Sequence, residues 1–334
     1  MTDIATVARE HARAKRFSGA VLVERARDTL VRQAFGFADR RHRTPNQIDT
    51  RFGIASGTKG FTALSVVSLV EDGTLEMSTT ARSLLGEDLP LIRDDVTIED
   101  LLAHRSGIGD YYDEEVVIDP TEYVLPVPVQ ELVNTEDYLK VLDGFPTKFP
   151  PGERFSYCNS GYVVLALLAE RAAGVPFADL VRQRVCDPAE MNRTEFLRSD
   201  ELPSDAAIGY LSHESERTNL FHLPVRGSGD GGIYTTLDDM HSFWRALFSG
   251  RIVSRERVKE MTSPRSEVPG ENKRYGLGFW LHASGATVYL WGGDAGVSFG
   301  SACDPDQDIT YTAVSNVDGG SAALIRELEV RLLN

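Results

Sequence analysis

Segments that favour strands stand at the two ends of this 334-residue chain, and segments that favour helices stand between them. Ser18 to Glu24 (SGAVLVE) and Thr29 to Phe37 (TLVRQAFGF) are β-branched and apolar and flank a charged turn, which predicts a hairpin. Tyr275 to Ala283, Thr287 to Trp291, Ser298 to Cys303 and Ile309 to Ser315 are short and joined by Gly- or Asp-containing turns, as in an antiparallel meander. Helical patterns run through 60–70, 97–104, 136–142, 162–172, 177–185 and 237–247. Helices are also expected at the amino end, with Ile4, Val7 and Ala8 inward, and over Ser321 to Leu333. These patterns predict an α/β (α+β) architecture. Residues 1–51 and 275–334 build an antiparallel sheet flanked by helices, 52–274 form an inserted, mainly helical domain, and a site lies at their interface.

Composition excludes several partners. Lys and Arg number 35 against 50 Asp and Glu, a net charge of -15, so nucleic acid and anionic membrane surfaces are disfavoured. No run approaches the roughly 18 apolar residues of a membrane span. The first residues lack the apolar core of a signal peptide, so a cytoplasmic location is expected. Cys158, Cys186 and Cys303 show no C-x-x-C spacing, and neither a disulfide framework, a metal nor a cofactor is expected. Asp110 to Gln130, rich in acids and prolines, reads as a long loop of the kind that lines sites.

Two serines compete for a catalytic role. Gly296-Val-Ser298-Phe-Gly300 matches G-x-S-x-G, yet a nucleophile elbow needs a helix after the serine, and here a strand and turn follow. That order also needs a histidine after the serine, and the last one is His282. A triad with an earlier histidine stays open by order alone, through His104, His222, His241 or His282. In RFGIASGTKGFTALSVVSLV, Ser56 and Lys59 stand three apart at the entrance to an apolar helix, whose face they share and whose amino terminus favours negative charge. A lysine base needs its pKa brought from about 10.4 towards 7, worth roughly 4 kcal/mol, which burial supplies. In PPGERFSYCNSGYVV, Tyr157 and Asn159 occupy a polar turn before another buried helix, and a Tyr157 phenolate is an alternative base. Each pattern alone also fits a bland reading: a surface charge for Lys59, a hydrogen-bonded turn for Tyr157 and Asn159, and helix caps for Thr97 with Asp100 and Thr236 with Asp239.

Taken with FSGAVLVERA, TIEDLLAHRSGI, FPPGERFSYCNSGYVVLALLAERAAGVPFADLV, GDGGIYTTLDDMHSFWRAL and YGLGFWL in the same order, these segments resemble the serine β-lactamase and penicillin-binding-protein superfamily, specifically its class C branch. The resemblance spans nearly the whole chain. It implies that Ser56 is acylated, that Lys59 and Tyr157 form a proton-transfer pair, and that Asn159 bonds the substrate or Lys59. The third family motif, Lys-Thr-Gly or His-x-Gly, then falls on Trp291-Gly292-Gly293. Trp291 would form a substrate-facing wall in place of a cation, as in family VIII carboxylesterases, several of which carry a non-catalytic G-x-S-x-G. Gly292 and Gly293 would admit the substrate closely, and the Ser56 and Asp294 N–H groups would form the oxyanion hole.

The leading expectation is a serine hydrolase working through an acyl-enzyme, a carboxylesterase on small ester or amide substrates. A β-lactamase or D,D-peptidase, an acyltransferase, and a non-catalytic penicillin-binding-like sensor are the alternatives.

Overall fold

The computed structural model describes residues 3–117 and 119–332. Among them, eight antiparallel strands form one sheet: β1 (Gly19–Arg25), β2 (Asp28–Phe35), β3 (Ser266–Glu267), β4 (Lys273–Tyr275), β5 (Trp280–His282), β6 (Val288–Asp294), β7 (Val297–Asp304) and β8 (Ile309–Ser315). Their order is β2-β1-β8-β7-β6-β5-β4-β3. The termini meet inside it, because β1 pairs with β8 from Gly19 opposite Ser315 to Arg25 opposite Ile309. The sheet begins somewhat ahead of residue 275, since β3 and β4 extend its far edge.

Most expected elements form with small changes at their ends. The clearest difference is Tyr275 to Ala283, expected as one strand. It folds into two, because Gly276 N donates to Phe279 O at 2.9 Å across a turn that needs Gly278 at φ 87°.

Alternation along the strands sends side chains to two different layers. Val21, Val23, Tyr311 and Ala313 meet α1 (Ile4–Lys15) and α6 (Gly320–Leu332) on the outer face, against Ala8, Leu324, Ile325 and Leu328. Leu22, Leu290, Phe299 and Val314 face the larger core with α2 (Thr58–Glu71), α4 (Asn159–Ala173) and α5 (Leu237–Ser249). Each such side chain contributes about 1.5–3 kcal/mol on burial. One polar chain between the layers is satisfied: Trp244 donates to Ser301 Oγ at 2.8 Å, which shares a 2.7 Å bond with Thr312.

The helix α2 is buried from Thr58 to Leu69 on every side, which makes it the central helix of the fold. Its internal hydroxyls allow this by bonding to carbonyls, Ser65 to Phe61 at 2.9 Å and Thr62 to Gly229 at 2.6 Å. α2 therefore sits rigidly between sheet and helices, and whatever stands at its amino end is held accurately. Thr97 and Asp100 do form a reciprocal capping box at α3 (Ile98–Leu102), whereas Thr236 caps α5 from one side only.

Candidate active site

A two-residue strand, Phe52–Gly53, paired with Tyr234–Thr235, leads into the first turn of α2. Ala55 takes a left-handed φ of 44°, a conformation costing an L residue about 1–2 kcal/mol. This strained turn puts the part-exposed Ser56 at the positive end of α2. The sharp entry that G-x-S-x-G motifs provide is found here, at Ser56.

Lys59 is 2 % exposed, and its Nζ donates to Ser56 Oγ at 2.9 Å, Asn159 Oδ1 at 2.7 Å and the Asp230 carbonyl at 2.9 Å. Two of these partners can only accept. A neutral amine keeps its two N–H bonds to Asn159 and Asp230 and turns its lone pair to the only partner able to donate, Ser56 O–H. Asn159 cannot flip, because its Nδ2 donates to the Tyr112 carbonyl at 2.8 Å and to Glu114 at 3.3 Å.

Burial pushes the Lys59 ammonium below its ordinary range, against the opposing pull of Asp230, Glu114 and Asp110. Burial pushes Tyr157 well above its ordinary range, with Glu114 adding to it and a Ser56 hydrogen bond opposing it. Both directions favour neutral lysine with neutral phenol over the ion pair. Lys59 Nζ lies 4.9 Å from the Tyr157 ring centroid, so the two remain neighbours in one proton network.

Behind Tyr157, the His104 ring stands 4.3 Å from the Tyr157 ring and also meets Tyr162 and Tyr275. His104 Nδ1 accepts from Cys158 N at 3.0 Å, which requires that nitrogen to be unprotonated. Burial and Lys59 hold its pKa well below the usual value. His104 is thus a neutral prop for the Tyr157 turn. Cys158 caps α4, its Sγ accepting from Gly161 N at 3.4 Å, and burial raises its thiol far from the thiolate range.

The strand β6 runs beside Ser56. An added Cβ at Gly292 would sit 2.0 Å from Ile54 O and 3.0 Å from Ser56 N, so only glycine fits. His282 N donates to Thr287 O at 3.0 Å, and strand alternation then turns the main chains of Trp291 and Gly293 to the β5 side. β5 covers only Val288 and Tyr289, which leaves the Gly293 N–H on the open edge. The expected oxyanion donor, Asp294, is corrected: its main chain faces β7 opposite Val297, and only its side chain borders the cleft.

Trp291 also differs from expectation. It lies on the outer face, stacked 5.9 Å from Tyr289, with its benzo ring over Gly300 and Lys273 Nζ 5.2 Å above it. It is not among the residues that line the Ser56 cleft, so the cation-to-indole substitution creates no wall there. Strand parity causes this, since Gly292 must face Ser56. Ser298 is likewise on the outer side: 4 % exposed, it bonds Ser321 Oγ at 2.7 Å and accepts from Ser321 N at 3.1 Å. It caps α6, and among the described residues no histidine hydrogen-bonds to it.

Several site residues gave no motif in the sequence. The loop after α3 folds across the cleft, contributing Tyr111, Tyr112, Glu114, Tyr123 and Leu125. Asp110 anchors it by accepting from Asn159 N at 2.7 Å and Ser160 N at 2.9 Å, and burial raises its pKa to about 6. The Tyr111 hydroxyl donates to Asp230 at 2.5 Å, and Tyr123 donates to the Tyr111 carbonyl. Asp294, pushed up to about 7 by burial with Asp230 and Glu114 adding to it, completes a group of three carboxylates around the cleft. The Gly-rich run Gly227 to Gly232 was the available signal for Asp230, since only such a run lies this close to α2. Among the described residues no cluster of three or more His, Cys, Asp or Glu could hold a metal, and no helix is long and apolar enough to cross a membrane.

Residues 4–333 match the protein family described as Beta-lactamase. A D-aminopeptidase of Brucella anthropi is 30% identical over 95% of this chain, which spans only 58% of that relative's length. The crystal structure of a penicillin-binding protein from Bacillus halodurans superposes with a TM-score of 0.91 at 34% identity, over 98% of this chain and 99% of the other. EstCE1, a hydrolase with promiscuous acyltransferase activity, shares the fold with a TM-score of 0.79 at 20% identity, over 98% of this chain and 97% of its own.

Proposed function

Because this chain belongs to the Beta-lactamase family, we propose that it is a serine hydrolase that forms an acyl-enzyme on Ser56 and accepts esters or amides with uncharged or positively charged acyl groups. The shell of acceptors around Lys59 carries the reading, since it leaves Ser56 as the one partner from which the amine can take a proton.

Ser56 Oγ attacks the carbonyl carbon as Lys59 Nζ accepts its proton, and the carbonyl π electrons move onto oxygen. Ser56 N–H and Gly293 N–H receive that oxyanion; one such donor is worth about 3–4 kcal/mol. When the tetrahedral adduct collapses, the bond to the leaving group breaks. The Tyr157 phenol supplies that group's proton and is reprotonated from Lys59. Water then attacks the ester carbon, giving its proton to the restored pair, which passes it to Ser56 Oγ as the acyl–Oγ bond breaks and the acid leaves.

Substrate charge follows from the surroundings. Glu114, Asp230 and Asp294 border the cleft, and the amine at its base, Lys59, is buried and occupied by internal bonds. A carboxylate-bearing acyl donor meets like charge; an ammonium meets three acceptors. The D-aminopeptidase relative supports amide donors with a free amine. The test compares kcat/KM for a glycyl aryl ester, its N-acetyl form and its N-succinyl form. The amine is expected first and the succinyl ester last; a succinyl ester hydrolysed as fast as the amine would overturn the charge assignment.

A further inference from the structure

Beside the cleft lies a second cavity of about 70 Å³, room for several waters or one branched side chain. Its walls include Leu197, Pro224, Val225, Tyr234 and Val297, and it begins at Ala55, the residue before Ser56. Cleft and cavity share Tyr111, Leu223, Pro224, Asp230, Gly231 and Asp294, so two carboxylate residues border both volumes. The lining is mainly apolar. Of its polar side chains, Asn219 is occupied by the Ala295 carbonyl at 3.0 Å, while Ser199 Oγ is buried without a partner.

We infer that this cavity binds the apolar side chain of an α-aminoacyl group whose ammonium sits at the Asp230–Asp294 boundary and whose carbonyl lies at Ser56. This rests on the acyl-enzyme reading above and adds the class of acyl group. The connectivity of an amino acid supplies the argument. Its carbonyl carbon, amine and side chain diverge from one Cα, and three matching environments adjoin one another beside Ser56: the Gly293 edge, the two carboxylates common to cleft and cavity, and the apolar cavity. A simple fatty acyl group would fill the cavity and leave the carboxylates without a counterion; a glycyl group would do the reverse.

The experiment uses p-nitrophenyl or p-nitroanilide derivatives of glycine, alanine, leucine and phenylalanine in both configurations, each free and N-acetylated. Free-amine donors are expected to gain with side-chain size, leucyl exceeding glycyl in kcat/KM by at least roughly tenfold, the scale of apolar pocket discrimination. Leu197→Trp and Gly53→Val both narrow the cavity, and an added Cβ at Gly53 meets only ordinary contacts at 3.6 Å or beyond. Both variants should erase the leucyl preference while glycyl turnover persists. Equal rates across the side chains, or an unchanged preference in both variants, would overturn the inference while Ser56 acylation, read by mass on the glycyl ester, still stood. Absence of any Ser56 acylation would instead remove the reading beneath it.

Discussion

Lys59 can act as a base because its three partners are not equivalent. Asn159 and the Asp230 carbonyl hold two N–H bonds permanently, and burial favours losing the third proton. Activity on an uncharged ester should therefore rise with pH along a limb that lies below the ordinary lysine range, because the deprotonated form is the active one. A pH–rate profile checks this, and a rise appearing only near the free-lysine value would contradict it. Tyr157→Phe should cost about 10²–10⁴-fold in kcat, since it removes the proton donor but leaves Lys59 and the oxyanion donors. Burial pushes Asp294 up to about 7, so amine recognition should strengthen as pH rises towards that value and fall again once the substrate's α-ammonium, with a pKa of about 7.7–8.0, loses its proton. Asp294→Asn should raise KM for an aminoacyl ester by roughly ten- to hundredfold and leave an acetyl ester almost unchanged.

Ser56 and Lys59 were legible in the sequence because i, i+3 spacing on a helix fixes a shared face. Trp291 was not: whether a strand residue faces the site depends on register, and one step reverses it. The register is set by the close approach of Gly292 to Ile54 and Ser56, a contact between segments far apart in the chain. The same limit hid Asp110 and Glu114, whose roles arise from a loop crossing that no local pattern encodes, while Asp230 was signalled only by the glycines around it.

At the level of elements, β6 and the amino ends of α2 and α4 define the cleft. Gly292→Ala drives a methyl into the main chain at Ile54 and Ser56. A displacement near 1 Å of the Ser56 turn should cost on the order of 10²-fold in kcat, with retained circular dichroism showing that the sheet persists. Asp110 holds α4 through the Asn159 and Ser160 amides. Asp110→Asn offers one acceptor where two N–H groups point, and should cost about 1–2 kcal/mol, seen as a Tm lower by a few degrees. The long loop was legible as a loop from its prolines and acids. That it closes over Ser56 follows from Tyr111 and Tyr123, whose bonding partners no sequence pattern identified.

For the whole molecule, two sets of carboxylates oppose each other. Asp39, Asp72, Asp205 and Asp238 are held below their ordinary range, Asp72 and Asp238 mainly by hydrogen bonds, Asp39 and Asp205 by hydrogen bonds that outweigh burial. Their contribution is present above the unfolded pKa near 4 and is lost as pH falls through the lower folded values. Asp110, Asp230 and Asp294 are raised by burial, to about 6 for Asp110 and about 7 for Asp294. Their contribution is full below the unfolded pKa and is lost as pH rises through 6 and 7. A net charge of -15 adds self-repulsion on the same side. Stability should thus peak between about pH 4 and 6 while activity still climbs above it. Thermal unfolding across pH 3 to 9 checks this, and a maximum at pH 8 would contradict it. The meeting of the terminal strands was legible in the sequence because an amino-terminal hairpin alone leaves a strand edge unpaired and the carboxy-terminal meander leaves another. The side on which each pocket opens was not, since it depends on how the layers close.

The most direct test of Ser56 against Ser298 is the mass of the intact protein after brief mixing with an activated aminoacyl ester, in wild type, Ser56→Ala and Ser298→Ala. One acyl group is expected on the wild type and on Ser298→Ala, mapped to the peptide carrying Ser56, and none on Ser56→Ala. An adduct that persists in Ser56→Ala and disappears in Ser298→Ala would show the chemistry to reside on the other face of the sheet.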